Sequence, residues 1–324
     1  MRKLLSDAPV FITFFVRPEK FSLVFSAIRK AKPKTLFLVS DGPRDGFPDD
    51  YRLNEECKKI AENVDWDCDV HRRYSDVNLG IDNNTYWGLK WAFQYVDRLI
   101  FLEDDILPSQ DFFKFCGELL EKYLHDQRIF MINGMNHIGV YKKPNSDYFF
   151  SKFGSIWGFA LWKRSFELFE ENLNFVTDGY SLNLLQKNCP YQFKNHVLLN
   201  SKNLRTLSTE TGRIHSFELL AGAAFFLNNG LHLVPSKNLI SCIGISENSG
   251  HSVNNKYKLP KITRDLFFMK THKLVFPLKH PKYVIADLEY ETKVHKIMGK
   301  NKYVRFYRKV EGKIRRIVIG LFEK

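Results

Sequence analysis

Apolar positions in the first 135 residues come in two alternating textures. Unbroken runs rich in β-branched and aromatic residues read as buried strands: PVFITFFV at 9–16, KTLFLVSDG at 34–42, RLIFLEDD at 98–105 and RIFMING at 128–134. Such runs are what a strand covered on both faces requires. Between them the apolar residues fall three and four apart. Phe21, Val24, Phe25 and Ile28 line one side of a helix over 18–31. Further helices are predicted over 50–63, 84–96 and 109–126, the last with Ser109 as N-cap, and a short strand near 68–74. Strand–helix alternation of this kind builds right-handed crossovers and an open sheet. The fold class is therefore α/β, with a Rossmann-like, mixed, mostly parallel sheet flanked by helices.

Beyond residue 135 the pattern loosens. SDYFFSKFGSIWGFALWKRSF mixes strand and helix, 173–213 is polar and partly irregular, and 216–228 reads as a helix before an Asn229-Gly230 turn. Residues 252–285 read as extended packing, and 286–324 as a basic amphipathic helical tail. The expected organisation is 1–135 as a nucleotide-binding half, 136–285 as an acceptor-side half of the same domain, and 286–324 as the tail.

Composition sharpens three points. Aromatics reach 15%, led by 29 Phe, which is ample for a large core. The net charge of +13 is concentrated: 293–324 holds eleven Lys/Arg against two Glu, leaving about +4 on the rest. A nucleic-acid groove on the body is not suggested. The five cysteines are scattered and odd in number, which reads as reduced thiols in a cytoplasmic protein. The N-terminal apolar run is too short for a signal peptide, and no transmembrane run is expected.

Candidate chemistry sits at predicted strand ends, where open α/β sheets bind ligands. Asp41 ends one strand, and Glu103, Asp104 and Asp105 end another. Three adjacent carboxylates disfavour one another's charge. A divalent cation, Mg2+ or Mn2+, would relieve the repulsion; a solvated turn closed by Pro108 is the other reading.

FLEDDILPSQDFFKFC resembles the Glu-Asp-Asp segment of inverting GT-A glycosyltransferases, the N-acetylglucosaminyltransferase I type and its bacterial nucleotide-diphospho-sugar transferase relatives. ITFFVRPEKF, LFLVSDGPR, NLGIDNNTYWGL, SDYFFSKFGSIWGFALWKRSF and NLISCIGISENSGHS resemble further segments of that family in order, covering most of 8–251. The resemblance implies a GT-A fold and transfer of a sugar from a nucleotide-sugar donor, a UDP-sugar above all, to a hydroxyl of a glycan or glycolipid acceptor. It implies Asp105 as metal ligand, with His251 as a second ligand or diphosphate contact. Glu103 and Asp104 would meet ribose or donor sugar, Arg17 the diphosphate and Asp41 the base. Asn78, Gly80 and Asn84 would shape the nucleotide loop. Where relatives often carry basic residues this chain has Asp82 and Asn83. Glu218 falls where relatives carry an Asp general base, and Asp178 is a second candidate by charge type. Trp157 and Gly158 would line the acceptor side, with Trp162 in the core.

The tail interleaves basic and apolar residues, which suits either a solvated helix or one lying on an anionic inner leaflet. The rivals to a transferase are a sugar nucleotidyltransferase, disfavoured by the absence of Gly from FFVRPEKF, and a non-catalytic homologue acting as a binding subunit. Sugar, linkage and oligomeric state are not encoded in any recognisable pattern.

Overall fold

The computed structural model describes residues 7–189, 193–194, 198–245, 257, 259–298 and 302–322. The first half follows the predicted alternation: β1 (Val10–Phe14), α1 (Pro18–Ala31), β2 (Thr35–Ser40), α2 (Pro48–Ala61), β3 (Asp69–Tyr74), α3 (Ile81–Ala92) and β4 (Arg98–Glu103). Then come β5 (Ile106–Pro108), α4 (Gln110–Lys122) and β6 (Ile129–Asn133). Pro18 opens α1, where its missing N–H costs nothing, and Lys32 in the left-handed conformation ends it.

The second half supplies β7 (Tyr148–Ser151), β8 (Phe159–Trp162), the short α5 (Lys163–Phe166), α6 (Gly179–Asn188), α7 (Ser201–Thr211), α8 (Phe217–Leu227), β9 (Leu231–Pro235) and β10 (Ile240–Cys242). The segment expected to be partly irregular thus holds two helices. Asp178 starts the first by accepting the Tyr180 N–H at 3.0 Å, a capping role at the surface, and it does not line the cavity described below. Three more helices follow: α9 (Lys261–Arg264), α10 (Leu288–Ile297) and α11 (Lys302–Phe322).

The main sheet has eight strands in the order β3-β2-β1-β4-β8-β6-β9-β7. β2 and β4 flank β1 in parallel and β3 continues from β2 in parallel. β8 runs antiparallel between β4 and β6, β9 is parallel to β6, and β7 is antiparallel to β9. Parallel pairing dominates, in a Rossmann-like mixed sheet. β5 and β10 form a separate antiparallel ribbon.

Side chains alternate between the two faces. Val10, Ile12, Phe14, Leu36 and Leu38 pack with α1, α2 and α4. Phe11, Phe37 and Phe101 face α3 and α8. On that second face Phe101 stacks against Phe11 at 5.6 Å and Phe159 at 4.6 Å, tying β1, β4 and β8 together. Trp162 is core, as expected, with its indole N–H on the Leu120 carbonyl at 3.0 Å.

The tail joins the body through α10, where Tyr290 and Val294 pack with Tyr141, Phe149 and Val234. On α11, Glu311 accepts the Lys261 N–H at 3.1 Å, while Tyr303, Phe306, Tyr307 and Ile314 lie exposed. No described helix is long and apolar enough to cross a membrane.

Candidate functional site

The chain leaves β1 toward β2 and β3, then returns to β4 on the other side of β1. This reversal opens a crevice at the C-terminal ends of β1 and β4. Thr13 pairs with Glu103, so the residues just past each strand are neighbours despite the sequence between them. Arg17 enters from one side and the acid triplet from the other.

The guanidinium of Arg17 clamps two of the three acids. One terminal nitrogen donates to Asp105 Oδ2 at 2.7 Å and the other to Asp104 Oδ1. Asp104 also accepts the Phe15 N–H at 3.2 Å. Burial opposes the charge on Arg17, but the attraction of Asp104 and Asp105 outweighs it and raises its pKa. Burial and the neighbouring Asp105 and Asp104 push Glu103 upward, toward the protonated form. The repulsion within the triplet is therefore offset by an arginine in this structure. Asp104 is 2% exposed and turned toward β1 rather than the cavity described below. Its carboxylate is engaged by the Phe15 N–H and the Arg17 guanidinium.

Asp41 is also engaged by its own fold. Its carboxylate accepts the N–H groups of Leu79 at 2.7 Å, Gly80 at 2.9 Å and Gly42 at 2.9 Å, and the Asn78 amide at 3.2 Å. Burial pushes its pKa up against these hydrogen bonds. A buried carboxylate with this many donors pins the 78–80 loop to the end of β2, and no oxygen turns to the cavity for the expected base contact. Asn78 reaches the Gly42 carbonyl at 2.8 Å, so it serves the same pin. Gly80 caps α3, and Asn84 is buried within α3 beside Arg73 at 3.4 Å. These three shape the loop without lining the cavity.

A cavity of about 940 Å3 opens from the crevice and runs between the sheet and α8. Arg17, Glu103 and Asp105 line it from the strand ends, Glu218 from α8 and Trp157 from the segment before β8. α8 starts at Ser216, whose hydroxyl accepts the Leu219 N–H at 3.1 Å. Asp82 then accepts the Phe217 N–H at 2.8 Å, and Asn83 accepts the Ile214 N–H at 3.1 Å. Asp82 and Asn83 thus fasten the start of the helix that carries Glu218.

Trp157 stands against Phe267 at 5.1 Å. Gly158 does not line the cavity. It has φ +61°, and a Cβ there would come within 3.0 Å of Ile106 and 3.1 Å of Ile240, so it lets the backbone pass the β5–β10 ribbon. His251 lies outside the described residues. His137 and His232 also line the cavity, and sequence reading missed both.

The donor set suits a hard divalent cation in part. Glu103 and Asp105 present oxygens to the cavity, and three acids face one clamping arginine. Among the described residues no group of three or more His, Cys, Asp or Glu side chains stands ready to hold a metal. Asp105 would hold one only together with phosphate oxygens or water.

No protein-family model matches the chain, and no curated protein matches it. Among 61 matching chains of solved structures, one is 4-diphosphocytidyl-2C-methyl-D-erythritol synthase from Anaerococcus prevotii, at TM-score 0.32 and 14% identity. That match covers 50% of this chain and 74% of the other. An apo UDP-glucose pyrophosphorylase matches at TM-score 0.36 and 10% identity over 72% of this chain and 93% of that one. UDP-glucose pyrophosphorylase complexed with UDP-glucose matches at TM-score 0.30 and 11% identity over 67% and 97%. Likenesses this distant decide nothing about the activity of this chain.

Proposed function

We propose that the protein is a nucleotide-sugar enzyme of GT-A type, an inverting glycosyltransferase that moves a sugar from a UDP-sugar to an acceptor hydroxyl with Mn2+ or Mg2+. The observation that carries this reading is the meeting of Glu218 with Glu103, Asp105 and Arg17 in one cavity. Transfer with inversion needs a base on the acceptor side and charge stabilisation on the leaving-group side. Two separate elements supply candidates for each.

In the proposed reaction the acceptor oxygen bonds to the anomeric carbon as the bond from that carbon to the diphosphate breaks. The hydroxyl proton passes to the Glu218 carboxylate, and the departing diphosphate keeps the electron pair. Asp105, with phosphate oxygens, would hold the cation, whose chemistry is to neutralise the departing diphosphate. Arg17 stands where it can exchange a carboxylate partner for a phosphate. Trp157 offers a flat apolar face to a sugar ring. The partners proposed are a nucleotide-sugar, a glycan or glycolipid acceptor and, through the tail, an anionic membrane surface.

The second reading is nucleotidyl transfer from a nucleoside triphosphate to a sugar phosphate, the kind of activity named for the pyrophosphorylases above. Product analysis separates the two. Sugar transfer releases UDP, whereas nucleotidyl transfer releases pyrophosphate. A thermal-shift panel of UDP-, GDP- and CMP-sugars with and without Mn2+ should raise the melting temperature for one donor, since a ligand of the folded state stabilises by mass action. Asp105→Ala should abolish turnover. If no nucleotide-sugar binds or turns over with Mn2+ present, the reading is wrong.

A further inference from the structure

His137 and His232 sit at the far end of the cavity from the acid triplet. His232 belongs to β9, the third strand from β4, which is roughly 14 Å across the sheet at ordinary strand spacing. Both rings line the cavity and both residues are more than nine-tenths buried, at 8% and 9% exposed. The Nδ1 atom of each finds no hydrogen-bond partner among the described residues, and neither does the Oδ1 of the adjacent Asn133. Buried polar atoms normally find partners, so orphans gathered at one place mark a missing one.

The surroundings say what kind. The His232 ring stacks on Phe225 at 4.0 Å, and Phe153 stands edge-on to His137 at 5.1 Å. Phe130 and Met131 supply the sheet side, Ala221 borders the arm from α8, and the Phe193 ring packs over Gly222, where a Cβ would fall 2.1 Å from it. Gly154 closes one side with its backbone, packed so near that a Cβ would fall 2.5 Å from Asn133 Oδ1 and 2.6 Å from the His232 ring. Burial holds both imidazoles neutral, pulling His137 to about 4 and His232 to about 3. A neutral imidazole gives one hydrogen bond and accepts one, as a hydroxyl group does. Two neutral rings do not favour an anion, although Lys152 borders the cavity, and no third ligating side chain joins them among the described residues to favour a metal. Met298, at the end of α10, borders the same cavity only a few residues before α11 with its exposed aromatic side chains.

We propose that this arm of the cavity binds the non-reacting part of an amphiphilic acceptor, seating an apolar segment against the aromatic walls and a hydroxyl between His137 and His232. This rests on the transferase reading and narrows its acceptor class.

The test is NMR of the histidine rings in the full chain labelled with 15N-histidine, the signals assigned with His137→Gln and His232→Gln. n-Octyl β-D-glucopyranoside is titrated to just below its critical micelle concentration, and UDP with Mg2+ and inorganic phosphate are titrated separately. The proposal expects both ring signals to move saturably with the glycoside and to stay in place with phosphate. Ala221→Leu, which narrows the arm from α8, should weaken glycoside binding at least tenfold. Met298→Trp, from another wall, gives a second obstruction should the first variant fail to fold. Rings that do not respond, that respond to phosphate instead, or that respond equally in a folded obstructed variant overturn the proposal. A chain whose histidines respond to the glycoside while UDP–Mg2+ never binds keeps the arm and loses the transferase reading; the reverse pattern keeps the reading and loses the arm.

Discussion

Removing the cation from the acid triplet should cost far more than removing an ordinary surface arginine. Arg17→Met keeps much of the side-chain bulk but deletes both ion pairs. Asp104 is then left with the Phe15 N–H as its remaining described donor, at 3% side-chain exposure, beside Asp105 at 14%. Breaking a buried pair by deleting one partner costs about 3–5 kcal/mol. Arg17 retains 19% exposure, and the carboxylates can relieve themselves by taking up a proton. The expected loss is therefore about 2–4 kcal/mol at pH 7.5, between the buried and surface cases. Urea denaturation in EDTA measures it, as a lower midpoint at unchanged slope. Asp104→Asn in the Arg17→Met background should recover most of the loss, because no charge is then left stranded. The four-way cycle should give a coupling of about 2 kcal/mol. A further arm replaces the lost cation: Mn2+ should raise the melting temperature of Arg17→Met by more than it raises that of the unaltered protein. Additive single effects, within about 0.5 kcal/mol, would falsify the clamp.

Asp41→Ala should destabilise the fold by about 3 kcal/mol by stranding backbone donors of the 78–80 loop; lost nucleotide affinity with unchanged stability would restore the base-contact role. Glu218→Gln should lower turnover by about 10^2–10^4 while the donor still raises the melting temperature, as loss of a general base requires; near-normal turnover removes Glu218 from the chemistry. The buried histidines should make the protein sensitive to acid. Their folded pKa values, about 4 for His137 and about 3 for His232, lie below the unfolded value, so their contribution is full above about pH 7 and drains as pH falls from 6.5 toward 4. For His137 alone this amounts to about 3 kcal/mol. The double variant His137→Gln/His232→Gln should flatten urea midpoints over that window, and an unchanged slope would show that other groups cause it. Truncation after Met298 should release the protein from vesicles of anionic lipid, since basic residues near such a surface contribute about 1 kcal/mol each; undiminished co-sedimentation would remove the tail from that role.

The first half of the fold was legible because buried parallel strands and amphipathic helices leave opposite marks. The helix expected over 18–31 is α1, residue for residue. β7 and β8 were harder, being four residues each amid glycine and aromatics. Ser109 occupies the predicted N-cap position but makes no side-chain capping hydrogen bond, so the spacing was readable and the contact was not. The site divides along the same line. Arg17, Glu103, Asp105, Glu218 and Trp157 reach one cavity because strand ends and a helix start can be placed from pattern. Asp41 and Asp104 looked alike in sequence as acids at strand ends. What they do depends on backbone N–H groups delivered by other segments, and no spacing rule reports that. His137 and His232 left no mark either. His137 follows the polar Asn133-Gly134-Met135-Asn136 segment and His232 is a lone histidine in an apolar run, and only the lateral pairing of β6 with β9 brings their neighbourhoods together.

The position of β8 has a consequence for how the protein can be made. Residues 1–135 carry β4 and β6 but not the strand that joins them, which comes only with 159–162. A nascent chain stopped near residue 135 therefore holds a gap in its sheet, with one edge of β4 and both edges of β6 unpaired. Open edges of that kind recruit other chains. A fragment ending there should aggregate rather than fold, and synthesis must run past β8 itself before the crevice at the end of β4 acquires its far wall.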